Sequence, residues 1–430
     1  MNIKDKQFLS NEYCYPRVSN LVSKVEADLK EVADQRTQDV AISLSKILQA
    51  FSTEGLGPQH FQSVSGIGHG DLGRDLIDKV FANVLGAEKA LVRMQFVSGT
   101  HAISSILFGI LRPGDNLLSI TGKPYDTLEE VIGLRGKGQG SLLDFGINYD
   151  EISVFNDGEI DLKSLEKALE VSREMIFIQR SCGYSWRQSL SIADIKKICD
   201  ICHIKQPNCV CFVDNCYGEF VELQEPNHVG ADLIAGSLLK NLGGTIAPAG
   251  GYIAGKSVLV DKACNRLTAP GIGSDVGTSF NLNRLVLQGL FLSPQMVAES
   301  LIGADIISGV FQKLGFKVNP LPGQFRSDLI QSVCLGNVET LEIVCRSFQL
   351  CSPVSSYVNP IPSSMPGYES DLIMAGGTFV DGSTSEFSAD APLRPPYNLY
   401  VQGGTHRAHI KIAITQAVIA LVQSGIVDLP

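Results

Sequence analysis

The sequence predicts an α/β protein in which a large, mostly parallel sheet is covered by helices on both faces and a smaller α+β part follows it. Two patterns and one length carry this. Short apolar runs alternate with helical patterns as far as about residue 300, which is how strand–helix–strand units read. Beyond that point the segments become shorter and are broken by Pro and Gly. A chain of 430 residues is also too long for one compact core.

Residues from about 12 to 50 place Leu21, Val25, Leu29 and Val32 at spacings of three and four, so an amphipathic helix is expected. Segment 51–73, rich in Gly, His and Ser, reads as a loop. Ala90 to Val97 reads as a strand, and Thr100 to Leu111 as a helix stopped by Pro113-Gly114. Asn116 to Ile120, Met175 to Ile178, Cys209 to Val213 and Asp232 to Ala235 are further strands. A helix near 294–313 opens the C-terminal part. There is no internal repeat and no low-complexity linker.

Hydrophobic content of 44% and charged content of 19% describe an ordinary globular chain rather than a disordered one. A formal charge of −10 argues against nucleic acid as a partner, because phosphate backbones attract basic surfaces. Met1-Asn-Ile-Lys-Asp-Lys leads into polar sequence without a signal-peptide core. No run of roughly 18 uninterrupted apolar residues offers a membrane span. The expectation is a cytoplasmic protein with no membrane partner.

Eleven cysteines without a secretory signal read as thiols. Cys199, Cys202, His203, Cys209, Cys211 and Cys216 have a superficial zinc look. Cys199 and Cys202 fall in a helical pattern, and Cys209 and Cys211 alternate within a strand. No zinc knuckle results, and no metal is expected.

The chemistry is carried by one aspartate and one lysine. Asp214 closes the apolar run from Cys209. Lys240 sits in Gly236-Ser-Leu-Leu-Lys240-Asn-Leu-Gly-Gly244. A lysine amine can form a Schiff base with an aldehyde, and a carboxylate can keep a pyridine nitrogen protonated so that the ring acts as an electron sink. This pair is what pyridoxal 5′-phosphate (PLP) requires. Ser98-Gly99-Thr100 follows a strand and opens a helix, so it is either a phosphate cradle or a plain helix cap. Ser237 can add a hydroxyl to the phosphate. Tyr125 can stack on the cofactor ring or simply pack on the core. A substrate carboxylate calls for an arginine. Arg394, in stiff Pro-rich surroundings, is preferred over Arg407, although either can be a surface salt-bridge residue.

Two other motifs mislead. Gly250-Gly-Tyr-Ile-Ala-Gly255-Lys256-Ser257 satisfies the phosphate-loop pattern. Its Tyr-Ile-Ala interior suits a strand ending in a Gly-Lys turn, and nucleotide binding is the weaker alternative. Ser237-Leu-Leu-Lys240 matches the Ser-x-x-Lys motif of penicillin-binding enzymes, but its companion Lys-Thr-Gly and Ser-Asp-Asn elements are missing.

Longer phrases add a family resemblance. They are Asp71-Leu-Gly-Arg-Asp75, Val97-Ser-Gly-Thr-His101, Thr121-Gly-Lys-Pro-Tyr-Asp-Thr-Leu-Glu-Glu130, Gly183-Tyr-Ser-Trp-Arg187, Val213-Asp-Asn-Cys-Tyr-Gly-Glu-Phe220, Gly236-Ser-Leu-Leu-Lys-Asn241, Leu267-Thr-Ala-Pro-Gly-Ile-Gly273 and Gln288-Gly-Leu-Phe-Leu292. Together they resemble the PLP enzymes of cysteine and methionine metabolism, most closely the aluminium-resistance or methionine gamma-lyase-like branch.

The resemblance implies the aspartate-aminotransferase-like fold (PLP fold type I) and a homodimer or homotetramer with shared active sites. Residues 1–60 would be an N-terminal helical segment packing on a neighbouring subunit, 61–300 the large PLP-binding domain and 301–430 the small C-terminal domain. Lys240 would be the Schiff-base lysine and Asp214 the pyridinium partner. Gly99, Thr100 and Ser237 would hold the phosphate, Tyr125 would stack and supply a proton, and Arg74 would reach a neighbouring subunit's phosphate. The implied activity is a carbon–sulfur lyase acting on a sulfur-containing amino acid of the cystathionine, cysteine or methionine type. Transamination, another β-elimination or a non-catalytic PLP-binding role are the alternatives. The chain departs from the pattern in two places. The tyrosine expected within Gly66-Ile67-Gly68-His69-Gly70 is missing, and the hydroxyl residue often found before the lysine is Leu239.

Overall fold

The structure, a computed structural model, describes residues 15–156 and 159–429. The start of the expected N-terminal helix, residues 12–14, and the signal-peptide reading lie outside the described residues. The chain divides into two compact units. One holds residues 41–183 and 187–294, and the other holds residues 15–40, 184–186 and 295–429.

The first unit is built on a seven-stranded sheet. Its strands are β1 (Lys89–Arg93), β2 (Asn116–Ser119), β3 (Asn148–Glu151), β4 (Met175–Gln179), β5 (Val210–Asp214), β6 (Leu233–Ser237) and β7 (Gly251–Gly255). Their order across the sheet is β1-β7-β6-β5-β4-β2-β3. Strands β3, β2, β4, β5 and β6 are parallel to one another, whereas β7 runs antiparallel to both β6 and β1. Strands β4, β6 and β7 are buried along their whole length, as strands covered by helices on both faces must be. One apolar layer gathers Leu76, Val80 and Phe81 under Ile176, Val213 and Ile234. The other gathers Ile103 and Ile106 over Phe177, Phe212 and Ile253. Residues alternate between these faces because successive side chains of a strand point to opposite sides.

The expected strands appear within a few residues of their predicted bounds. The expected helix from Thr100 runs Gly99–Ile110, with Ser98 as its cap. Gly250 to Ser257 forms β7 and the start of the helix Ser257–Leu267, not a phosphate loop.

The second unit carries a five-stranded antiparallel sheet. Its strands are β8 (Lys317–Asn319), β9 (Gln331–Cys334), β10 (Leu372–Ala375), β11 (Ser388–Pro392) and β12 (Asn398–Gln402), in the order β8-β9-β12-β11-β10. The helices Val338–Leu350 and Arg407–Gln423 bury Leu341, Val344, Ile414 and Val418 in its core.

The N-terminal helix was expected as one piece on a neighbouring subunit. It breaks at Leu29 into Tyr15–Asp28 and Lys30–Thr53. The first piece buries Val18, Leu21, Val22 and Val25 in the second unit's own core. Its apolar stripe is therefore satisfied within the chain. The helix expected near 294 begins at Asn283 and continues through Pro294 to Lys313. Among the described residues it alone is long and apolar enough to cross a membrane, and 61% of its apolar window is buried inside the fold. That burial is what a core helix shows.

Candidate active site

In open α/β sheets, ligands bind outside the carboxyl ends of the strands. Three such ends lie side by side here. Register places Gln179 of β4 beside Asp214 of β5, and Asp214 beside Ala235 of β6. The Asn215 amide donates to Ala235 O at 3.0 Å, so the chain leaves β5 still tied to β6. Lys240 follows the end of β6 by three residues.

The helix Gly99–Ile110 closes on this corner. A Cβ on Gly99 would lie 3.2 Å from Cys216 Sγ and 3.4 Å from Ser237 Cβ. The helix N-terminus therefore abuts the residues after Asp214 and those before Lys240, and glycine permits the approach. Ser98 Oγ accepts from the His101 amide at 3.1 Å and Ser98 O from Ala102. Among the described residues, no protein acceptor meets the amides of Gly99 and Thr100. They are the unpaired donors of a helix start, and they suit an anion. Thr100 Oγ1 and Thr127 Oγ1 are 2.8 Å apart, which ties this helix to Asp126–Ile132, whose capping position is Tyr125. The Tyr125 ring is 3.2 Å from where a Cβ on Gly183 would sit.

The electrostatics centre on Asp214 and Lys240. Asp214 is 7% exposed and accepts from the Cys216 amide at 3.1 Å. Burial pushes its carboxyl up, while Lys240 and Cys216 pull it down. Lys240 Nζ stands 3.8 Å from the centroid of the Tyr217 ring. Burial works against its charge, but Cys216, Tyr217, Asp214 and Glu219 together outweigh burial and raise its pKa. Cys216 itself is pushed well up by burial and by Asp214, so it stays a neutral thiol and Asp214 is the lasting anion beside Lys240. Tyr217 holds φ at +70° and Phe220 at +59°. Strained positions of this kind in non-glycine residues concentrate where a side chain must be aimed.

Of the expected site residues, Lys240, Asp214, Gly99, Thr100, Ser237 and Tyr125 all belong to the first unit, around these strand ends. Arg74 is held within its own chain in this structure. It is 3% exposed, and its guanidinium donates to Gly68 O at 2.6 Å, Gly277 O at 3.3 Å and Asp75 Oδ1 at 2.7 Å. The adjacent Asp75 and the glycine carbonyls capture it. Arg394, in the second unit, makes a loose 3.9 Å ion pair with Glu369. Arg407 clamps Glu299 with its amide at 2.8 Å and its Nε at 3.0 Å, so its role is structural. His69 is exposed.

The phosphate-loop reading fails on charge as well as shape. Lys256 Nζ pairs with Asp232 Oδ1 at 2.6 Å, and the Ser257 amide donates to Glu88 Oε2 at 2.9 Å. A carboxylate already occupies that helix start. Asp232 also accounts for the cysteine cluster. His203, Cys211 and Asp232 lie within 4.8 Å of one another, but Asp232 accepts from the Cys211 amide at 2.7 Å, pairs with His203 at 2.9 Å and holds the Lys256 ammonium.

Sequence reasoning missed a buried polar network behind Lys240. Arg180 is fully buried and donates to Asn215 Oδ1 at 2.8 Å and Glu222 Oε1 at 3.0 Å. Glu225 accepts from Asn215 Nδ2 and the Phe220 amide. Glu219 accepts from Tyr252 at 2.8 Å. The signal available was the density of polar residues in Asp214-Asn-Cys-Tyr-Gly-Glu219, yet a glutamate after a strand ordinarily reads as solvated.

The fold and this corner define an α/β enzyme in which a half-buried lysine and a buried carboxylate lie near one helix start. The sequence model of the methionine gamma-lyase family matches residues 18–422, and the chain belongs to that family. It is similar to a protein from Listeria monocytogenes described as a candidate cystathionine beta-lyase involved in aluminum resistance. The identity is 46% and the TM-score 0.90, covering 93% of this chain and 99% of that one. It is also similar to a carbon-sulfur lyase involved in aluminum resistance from Clostridium novyi NT, with 43% identity and a TM-score of 0.91, covering 98% of this chain and all of that one. A more distant likeness is the pyridoxal-5′-phosphate-dependent protein YhfS from Escherichia coli, at 15% identity and a TM-score of 0.60 over 90% of this chain and 97% of that one, which shows a shared fold.

Proposed function

We propose that this chain is a PLP-dependent carbon–sulfur lyase that releases thiol from a sulfur-containing amino acid of the cystathionine, cysteine or methionine type. The observation that carries the reading is the meeting of Asp214, Lys240, Ser237 and Gly99 at one corner of the sheet. The residues fit the cofactor. Gly99 and Thr100 offer two unpaired amides to its phosphate, and Ser237 offers a hydroxyl. Asp214 is a buried carboxylate suited to a cationic ring nitrogen, and Tyr125 suits the ring face. When bound, PLP supplies an aldehyde for the lysine and a sink for the charge left at the substrate α carbon.

The chain's own residues supply the rest. Lys240 Nζ takes the α proton as general base. A cation paired with Asp214 offsets one of the charges that hold the Lys240 ammonium, so the amine is released for that task. Lys240 or Tyr125 returns a proton to the departing thiolate. Arg394 is the proposed partner of the substrate carboxylate, on the chemistry of its guanidinium.

The same reading gives the fold the aspartate-aminotransferase-like, type I architecture and makes the active form a homodimer or homotetramer. Exposed Ile67, Leu72 and Phe280, in the unit that carries Lys240, support a covered surface there. In this arrangement Arg74 must leave Asp75 to serve a partner.

The test is incubation of the purified protein with PLP and, in turn, cystathionine, cysteine, methionine and serine, with keto acid and thiol measured. Thiol and keto acid from a sulfur substrate are expected. No keto acid from any of the four overturns the lyase. A Lys240→Ala variant that keeps the visible absorbance of lysine-bound PLP overturns the lysine assignment.

A further inference from the structure

Glu219 lies in the turn after β5, between two residues held at positive φ, Tyr217 and Phe220. Its side chain is fully buried. One oxygen, Oε1, accepts from Tyr252 of β7 at 2.8 Å. Among the described residues, the other oxygen, Oε2, is buried with no hydrogen-bond partner. The Glu219 main-chain O accepts from Asn241 Nδ2 at 2.8 Å, and Asn241 is the residue after Lys240. Position 236 must be glycine beside this pair, because a Cβ there would lie 2.6 Å from Glu219 Oε1 and 2.8 Å from Tyr252 Oη.

A buried carboxylate with one oxygen unpaired is costly, and a neutral carboxylic acid in the same place costs less. The charge surroundings agree. Burial is the main cause that lifts Glu219 to about 8; its own backbone amide opposes it, Glu225 adds to it, and Tyr252 and Lys240 oppose it. The titratable groups facing it are Tyr252 from β7, Lys240 from the segment after β6, Glu225 and Cys216. Burial pushes Tyr252 well up, and Arg180 offsets Glu225. Glu219 is thus the member of this group whose charge changes nearest neutrality, and it is among the charges that raise Lys240.

We propose that Glu219, anchored by Tyr252, is a positioning residue for Lys240: its main chain clamps the Lys240–Asn241 segment, and its buried carboxylic acid governs proton exchange at Lys240 Nζ. Below the Glu219 titration the acid is neutral, and one of the charges that hold the proton on the amine is absent. Above it, the new carboxylate holds a proton on the lysine nitrogen. The inference rests on the PLP reading above.

Two measurements test it. In PLP-loaded protein, the visible band of lysine-bound cofactor is titrated from neutral to alkaline pH in wild type, Glu219→Gln and Tyr252→Phe. The midpoint is expected to fall by about one pH unit in Glu219→Gln and to move the same way, by less, in Tyr252→Phe, which raises the acid's own titration. Midpoints identical to wild type in both variants overturn the proposal. Independently of cofactor, infrared difference spectra of apoprotein are expected to show a protonated carboxyl band that fades as the pH passes about 8 and is missing in Glu219→Gln. Wild type without that band overturns the proposal as well. Wild type that shows the infrared band but gains no visible band with PLP overturns the cofactor reading instead.

Discussion

Lys240 and Lys256 make a controlled comparison within one unit. Each follows an apolar strand, and each completes a motif known from other enzymes. Their fates are opposite because β6 and β7 run in opposite directions. Pairing of Leu233 with Gly255 and of Ser237 with Gly251 sends Lys240 out at the carboxyl end of the parallel strands, beside the turn after Asp214. Lys256 leaves at the other edge, beside Asp232. There its side chain is 59% exposed and is fixed in an ion pair. Strand direction, rather than the local motif, decides which lysine can do chemistry.

The comparison breaks most sharply through substitution. Lys240→Ala is expected to lower lyase turnover by roughly 10²–10⁴-fold and to abolish lysine-bound PLP absorbance, with Lys256→Ala changing neither. Steady-state kinetics and spectra of both proteins decide it, and the reverse result would restore the phosphate-loop reading.

Next in size is the pH dependence of apoprotein stability. The folded chain keeps Glu219 protonated up to about 8, whereas an ordinary glutamate releases its proton near 4.5. The unfolded state thus gives up the proton first, and stability falls as pH climbs through that window, by about 3–5 kcal/mol from this group at most. Denaturant melts across the window are expected to show the fall in wild type and a flatter curve in Glu219→Gln. Gly99→Ala crowds Cys216 and Ser237 and is expected to cost about 1 kcal/mol and to weaken PLP roughly tenfold, as read by equilibrium titration. The smallest effect belongs to the exposed edge. Lys256→Ala is expected to shift stability by less than about 1 kcal/mol, in a salt-dependent manner.

How far the chain itself announces these features follows burial. Strands β2, β4, β5 and β6 were legible because central strands are continuous apolar runs. The edge strand β3, Asn148-Tyr-Asp-Glu151, was not, since only one side of an edge strand pairs and its residues are polar. Pro294 hid the early start of the helix Asn283–Lys313 by its usual reading as a breaker. Lys240, Asp214, Gly99, Thr100 and Ser237 each carry a local signal of strand end, helix start or small neighbour. Nothing local marks the pairing of Glu219 with Tyr252, because their bond joins different elements and depends on a burial that no local pattern displays. Arg74 was legible as a family phrase, but its capture by Asp75, Gly68 and Gly277 arises only once the loops close around it.

The face that the helix Tyr15–Asp28 buries is completed by Arg407–Gln423, made far later than the helix itself. At ordinary synthesis rates of about 5–20 residues per second, Val18, Leu21, Val22 and Val25 wait on the order of 20–80 s for their partner. The seven-stranded unit meanwhile has all of its strands in hand. Until Arg407–Gln423 is made, that apolar stripe lacks the helix that completes its cover.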